Sequence, residues 1–232
     1  MNHQAAPLFA NNWNVYQKII FKNYMLHQEF GVATRQVIEN MGTLEPLTVL
    51  DMGCGDAHQI AKVLEGMQVA KYVGYDLAAP ALKVASENMS KYAEQVHLKQ
   101  GKMEVLIKEE TQVFNLVYTS YALHHLDDDS KISFLKNCHD RLKPNGRFIH
   151  IDVARKTGQS REAYIANYLN HIKQEWTLLN SEEISLIEEH IHQCDFPAAM
   201  DSLIEWMETS GFVIENHLEG DGRHSMLVVK KR

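Results

Sequence analysis

The sequence predicts an α/β protein: a parallel sheet covered by helices on both faces. Three observations carry that reading. Short β-branched runs recur from residue 47 onward, as "LTVLD", "YVGYD", "VHLKQ", "NLVYT" and "RFIHIDV". Helical stretches separate them, and in one of these Ile60, Val63, Leu64 and Met67 fall at i, i+3, i+4 and i+7. The first run ends in an acid and a paired-glycine turn, "VLDMGCGDAHQI". Strands that alternate with helices pair in parallel and are buried on both sides.

The elements follow in order. Residues 11–42 read as a helical cap, with Tyr16, Ile19, Ile20 and Tyr24 on one face and Gly31 as the point where the run breaks. Residues 47–153 form the alternating core. Residues 158–193 show no strand pattern and read as an inserted lid of two helices. One starts near Ser160 and the other at "NSEE", where Asn180 and Glu183 suit a capping box. Residues 197–232 hold a last helix, with Met200, Leu203, Ile204 and Met207 on one face, and then a closing hairpin around "EGDGRH".

Composition excludes some function classes. A chain of 232 residues is long enough for one domain with a full core and a lid. The net charge of −7 argues against binding nucleic acid through its phosphates. No apolar run reaches the roughly 18 residues a membrane span needs. The start, "MNHQAAPLFANNWN", has neither a basic beginning nor an apolar core, so no secretory signal is expected there and a cytoplasmic protein is. Cys54, Cys138 and Cys194 are too few and too scattered for a disulfide framework, and read as thiols.

The glycine turn is the informative motif. A Gly-rich turn between a strand and a helix lets backbone approach a ligand, and serves dinucleotides and S-adenosylmethionine alike. A dinucleotide fingerprint would place its third glycine at His58, where an imidazole obstructs helix packing. Asp51, two residues before Gly53, suits a cationic ligand end and repels a pyrophosphate. Asp76 ends the second strand, where a carboxylate can take both ribose hydroxyls. The plainer alternative is that Asp51 caps the turn and Gly53 and Gly55 only tighten it. Cys54 reads as a small apolar spacer.

With these features the chain resembles the class I S-adenosylmethionine-dependent methyltransferases of the small-molecule type. The match runs from about residue 47 to 152, through "VLDMGCGDA", "YVGYDLA", "VHLKQGKMEVL", "FNLVYTSYALHHL" and "LKPNGRFIHIDV". It is similar in particular to a bacterial subgroup with "GCGDA" and "LHHL". The resemblance implies a Rossmann-like, doubly wound sheet of seven strands with the last antiparallel, and S-adenosylmethionine as cofactor. It implies that Gly53, Cys54 and Gly55 lie along the methionine part, Asp51 near its ammonium and Asp76 on the ribose. Leu77 would pack on adenine, Thr119, Ser120 and Tyr121 would flank the sulfonium, and Tyr24 would reach the cofactor from the cap. Two departures stand out. Ala57 replaces a glycine and needs a negative φ to be harmless. Lys102 stands where an acid usually accepts the adenine amine, so adenine is left to the backbone of Lys102 and Met103, or to Glu104.

Methyl transfer to N or O (rather than S) needs alignment with the methyl and a proton acceptor. His125 aligns with the histidine that phosphoethanolamine methyltransferases use in acceptor activation and is the first candidate base, with His124 second; a purely structural role for "LHHL" is the alternative. Tyr16, Arg155, Arg161, Tyr164 and Trp176 are candidates for contacting a small-molecule acceptor, the two arginines through a carboxylate or phosphate on it. The plainer reading makes the tyrosines and Trp176 packing residues and the cations a solvated helix start. "EEHIHQC" puts His190 and Cys194 on one helix face, but no second cluster at ligand spacing supplies further donors, so no metal site is expected. The competing readings are a cofactor-binding module without turnover and a nicotinamide-dependent oxidoreductase. No nucleic-acid or membrane partner is expected, and a monomer or a homodimer fits equally.

Overall fold

The computed structural model describes residues 13–43 and 45–232; the predicted start of the cap at residue 11, and the residues read for a secretory signal up to 12, lie outside them. Two helices open the described chain, α1 (Trp13–Phe21) and α2 (His27–Asn40). The break between them lies at residues 22–26, and Gly31 continues inside α2. Asparagine chemistry wins over glycine here. Asn23 takes φ +55°, and its Oδ1 accepts from the N–H of Gln28 at 2.9 Å. That satisfies one of the unpaired donors at the start of α2.

The sheet holds β1 (Leu47–Met52), β2 (Val69–Asp76), β3 (Ala93–Gln100), β4 (Phe114–Ser120), β5 (Leu142–Val153), β6 (Phe212–Glu219) and β7 (His224–Lys231). Their spatial order is β3-β2-β1-β4-β5-β7-β6. β1 to β5 pair in parallel, and β7 runs antiparallel to both β5 and β6. The doubly wound seven-stranded sheet expected from the sequence is therefore present. β1 sits between β2 and β4, so the winding reverses there. A crevice opens at the carboxyl ends of β1 and β4, where open α/β sheets bind their ligands.

Both faces of the sheet are covered. Helices α3 (His58–Val63), α4 (Ala79–Met89) and α2 cover one face, where Val49, Ile60, Leu64, Tyr72, Leu116 and Ile149 are buried. Helices α5 (Met103–Glu109), α6 (Asp128–Asp140) and α9 (Met200–Thr209) cover the other, over Leu50, Val117, Phe134, Phe148 and Phe212. α3 is shorter than its periodicity predicts. It stops at Val63, and Gly66 at φ +77° turns the chain before Met67. In α9, Leu203 and Met207 are fully buried and Met200 and Ile204 partly so, the face the spacing predicts.

The inserted segment is two helices, α7 (Arg161–Glu175) and α8 (Ser181–Cys194). Ser160 caps α7 by accepting from the N–H of Ala163 at 3.1 Å. Asn180 and Glu183 form the predicted capping box. The segment has an apolar cluster of its own, with Ile165, Tyr168, Ile172, Trp176 and Ile187 packed on Val15 and Ile19 of α1. Lys18 of α1 reaches Glu183 at 2.7 Å. Cap and inserted segment thus close over the sheet edge as one apolar unit, at the crevice. No described helix is long and apolar enough to cross a membrane.

Candidate active site

A cavity of about 450 Å³ occupies the crevice, a size ordinary for a small-molecule site. One end lies over the turn after β1. Gly53 has φ +76°, and a Cβ there would stand 2.4 Å from the Cβ of Ala122, so only glycine fits. The N–H groups of Gly53 and Cys54 both donate to the carbonyl of Tyr75, which ties the turn to the end of β2. Cys54 is a spacer, as expected. Its thiol fills the room left by Gly74, whose missing Cβ would come within 2.9 Å of the sulfur.

Ala57 departs from expectation. It takes φ +55°, so its methyl group sits in a left-handed conformation that costs about 1 kcal/mol or more. The turn keeps its shape through Asp56, whose Oδ1 accepts from the N–H of His58 at 3.1 Å while its carbonyl accepts from Asn88.

Two strand ends supply carboxylates. Asp51, at the end of β1, is buried and accepts from the Tyr72 hydroxyl at 2.6 Å. Burial pushes its carboxyl up to about 7; the Tyr72 hydrogen bond opposes that rise and the nearby Asp76 adds to it. A cation placed beside Asp51 would relieve this. Asp76, at the end of β2, accepts from the N–H of Gly55 and of Ala78, each at 2.8 Å. Those bonds hold the carboxylate at the cavity wall with lone pairs left for a diol. Leu77, Met103 and Glu104 continue the wall. Leu77 is 38% exposed, an apolar surface open to a flat ring.

The opposite end is lined by Ile19, Val153, Tyr168, Trp176 and Ile187, together with His124, His125, His190 and Asp195. His124 follows β4 and Asp152 ends the neighbouring β5. The His124 Nδ1 stands 2.5 Å from Asp152 Oδ1, and its N–H donates to Oδ2 at 3.0 Å. Burial lowers the His124 pKa, but Asp152 and then Asp195 more than offset it and leave it at about 8. The same contact holds Asp152 down at about 2 against its own burial. The Nδ1 proton of His124 is thereby fixed toward Asp152. Its Nε2 faces Asp195 Oδ1 at 3.6 Å. His125 bonds the carbonyl of Cys194 through Nδ1 at 3.1 Å.

A buried lysine keeps this end assembled. Lys131 donates to the carbonyls of Leu126 and Phe196, both at 2.6 Å, and Phe196 N–H donates to the carbonyl of His124 at 2.7 Å. Asp195, one residue earlier, is held against the histidines. Tyr121, between the two ends, has φ +54° and donates its hydroxyl to the carbonyl of Met25 in the α1–α2 turn. Strained backbone of this kind concentrates at functional sites.

Of the residues singled out in the sequence, Asp51, Gly53, Cys54, Gly55, Asp76, Leu77, Met103, Ser120, Tyr121, His124, His125, Tyr16 and Trp176 line this one cavity. Six do not. Tyr24 stacks on Trp176 at 5.0 Å and accepts from the N–H of Leu178, behind the cavity wall. Lys102 is exposed and only starts α5. Thr119 is buried inside the sheet, because alternation points it away from the crevice that Tyr118 and Ser120 face. Arg155 binds the carbonyls of Pro197 and Gln159. Arg161 binds those of Asp195 and His192 and lies over the Phe196 ring. Both guanidinium groups pin the chain after α8 rather than facing a substrate anion. Tyr164 packs on Tyr168 within the inserted segment. Tyr16 lies nearer the carboxylates than the histidines: burial first, then Asp56, Tyr118, Asp76 and Asp51, raise its pKa. The sequence reading missed Asp152 and Asp195, and weighed His190 only as a metal ligand. Asp152 carried the same signal as Asp51 and Asp76, an acid ending a strand in "HIDV"; Asp195 carried none.

Comparison with known proteins decides the family. A family model described as "Methyltransferase domain" matches residues 49–146. An uncharacterised methyltransferase of Synechocystis is 30% identical over 154 residues, covering 66% of this chain and 69% of that protein. The chain belongs to the class I S-adenosylmethionine-dependent methyltransferases. The methyltransferase is also 27% identical over 121 residues to a ubiquinone biosynthesis O-methyltransferase of Nitrosomonas europaea, covering 52% of this chain and only 50% of that one. Among solved structures, magnesium protoporphyrin IX methyltransferase of Synechocystis with bound S-adenosylhomocysteine shares the fold at a TM-score of 0.68, with 14% identity and 97% of both chains covered. S-adenosylmethionine is thus the cofactor, and the nicotinamide reading falls. In this methyltransferase one cavity is lined both by the turn after β1 and by the histidines.

Proposed function

We propose that this methyltransferase moves the methyl group of S-adenosylmethionine to an oxygen or nitrogen of a small, largely apolar acceptor, with His124 as the proton acceptor. The pairing of His124 with Asp152 carries the reading. A buried imidazole whose Nδ1 proton is held by a carboxylate presents Nε2 as a base once it is neutral, and a pKa of about 8 makes that form available as pH rises toward and above 8. In the cofactor half, Asp51 takes the methionine ammonium, Asp76 takes the ribose hydroxyls, and Leu77 and Met103 pack on adenine. Cys54 contributes shape alone.

The sulfonium carries the reactivity, and the protein contributes alignment and a dry pocket. The acceptor hydroxyl or amine enters between Trp176, Tyr168 and Val153. With S-adenosylmethionine bound, in-line attack on the methyl would break its carbon–sulfur bond, and His124 would take the acceptor's proton at Nε2. His125, held by the Cys194 carbonyl, positions the other side of the acceptor group. An apolar wall around the histidines suits a phenol, an enol or an aromatic amine better than a phosphate ester, since no lysine or arginine among the described residues lines the cavity.

The test is S-adenosylhomocysteine release from S-adenosylmethionine against a panel of phenols, catechols, aryl amines and phosphorylated amines. Turnover confined to the uncharged aromatic members supports the reading. Turnover confined to the phosphorylated members contradicts it.

A further inference from the structure

We propose that the cluster formed by His124, His125, His190 and Asp195 is a binding site for one divalent transition-metal ion of the zinc class. The observation is the surroundings of a single atom. Asp195 Oδ1 is buried and accepts no hydrogen bond. Three imidazole nitrogens face it: His125 Nδ1 at 3.4 Å, and His124 Nε2 and His190 Nε2 at 3.6 Å each. None of the three gives Asp195 Oδ1 a well-formed hydrogen bond, and His125, whose Nδ1 bonds the Cys194 carbonyl, would exchange that bond for the ion. The spacing is near that of ligands sharing an ion. Around tetrahedral zinc with bonds of about 2.0–2.1 Å, neighbouring donor atoms stand about 3.4 Å apart. One donor atom each from His124, His125 and Asp195 lies within 4.8 Å of the others; His190 stands outside that trio and approaches it through Asp195, at 3.6 Å. The donor types, imidazole and carboxylate, suit zinc, cobalt or nickel rather than magnesium or calcium.

The outer groups fit as well. Ligating histidines commonly give their other ring N–H to a carboxylate or a carbonyl. His124 does so to Asp152 at 2.5 Å, which leaves Nε2 for the ion. The donors come from two distant segments, the turn after β4 and the end of α8. Lys131 and Phe196 hold those segments together without entering the cluster. That is why "EEHIHQC" looked incomplete in sequence: the further donors are in "LHHL" and in Asp195, the residue just after the motif. The ion and the proton exclude each other on His124 Nε2, so the metal-bound form lacks the base proposed above. This consequence rests on that proposal, whereas the binding itself does not.

The experiment is a cobalt titration of untagged, chelator-treated protein followed by its visible absorption bands, with zinc displacement as a second readout. The expected result is one ion per chain, bands that zinc abolishes, and at least tenfold weaker binding in Asp195→Asn and His190→Ala. Retained S-adenosylhomocysteine binding and an unchanged circular dichroism spectrum would show that the variants are folded. Absent bands, or variants that titrate like the wild type, would overturn the site. With an acceptor in hand, zinc should suppress turnover and a chelator restore it. Zinc binding that raises turnover would overturn the exclusion while leaving the site, and suppression in wild type but not in Asp195→Asn, which lacks the ion's carboxylate, supports it.

Discussion

His124 and Asp152 meet at 2.5 Å across the carboxyl ends of adjacent strands, with a second bond from the His124 backbone to the same carboxylate. Among the described residues, no acid lining the apolar end of the cavity stands so close to an imidazole: Asp195 is 3.4–3.6 Å from its histidines. The place of the His124–Asp152 pair beyond Tyr121 makes it the natural point at which an acceptor gives up a proton.

Removing either partner should therefore cost turnover and spare the cofactor. His124→Ala is expected to lower kcat by roughly 10²–10⁴-fold, and Asp152→Asn by a smaller factor within that range, through loss of the fixed tautomer. The dissociation constant for S-adenosylhomocysteine should stay within about twofold, because the cofactor end holds neither residue. Calorimetry beside steady-state kinetics separates the two effects. A collapse of cofactor binding would assign the pair to architecture.

The cofactor end should respond to pH through Asp51. Its folded pKa is raised to about 7 from the ordinary 3.8, by burial and by Asp76 against the opposing Tyr72 hydrogen bond. The ammonium of the ligand stays charged across this range, so binding needs the carboxylate ionised. Affinity should rise from pH 5.5 to 8, approaching tenfold per unit below about 7 and levelling above. Asp51→Asn should be weak at every pH and flat. A wild-type affinity that does not vary between pH 5.5 and 8 would remove Asp51 from the ammonium site.

Backbone strain gives opposite predictions at two positions of one turn. Ala57→Gly removes the Cβ from a left-handed residue and should stabilise the fold by about 0.5–1 kcal/mol, raising Tm by about 1–4 °C. Gly53→Ala forces a contact at 2.4 Å with Ala122. It should cost about 1–3 kcal/mol and abolish measurable cofactor binding. Thermal denaturation of the pair checks both signs in one experiment.

Lys131 should matter more than a surface lysine. It is 1% exposed and donates to two carbonyls, those of Leu126 and Phe196. Lys131→Met leaves both buried acceptors unmet, at about 1–3 kcal/mol each. Urea denaturation should show a loss of about 2–4 kcal/mol, and hydrogen exchange should rise first around residues 123–126 and 195–197. Unchanged exchange there would mean the lysine does not hold the cluster.

The sheet and the cofactor half were legible because their signals are local. Asp51, the glycine turn and Asp76 each sit at a strand end, and strand ends are readable from β-branched runs. The acceptor half was not, because it is assembled from segments about 70 residues apart. His124 was visible in "LHHL", but ranked below His125, since the deciding partner Asp152 lies on another strand. The lid arginines misled for a related reason. Cationic side chains near a pocket read as substrate ligands, yet Arg155 and Arg161 satisfy carbonyls of the irregular chain after α8, which no local pattern reveals. Ala57 misled through its backbone: the residue type shows a methyl group, and only the fold shows φ +55°.

The most direct test of the account is a crystal structure with S-adenosylhomocysteine. The expected complex has the homocysteine amine on Asp51, the ribose hydroxyls on Asp76, and the sulfur turned past Tyr121 toward His124 Nε2 with room between them for one acceptor group. A sulfur directed away from His124, or separated from it by protein side chains, would contradict the assignment of the base.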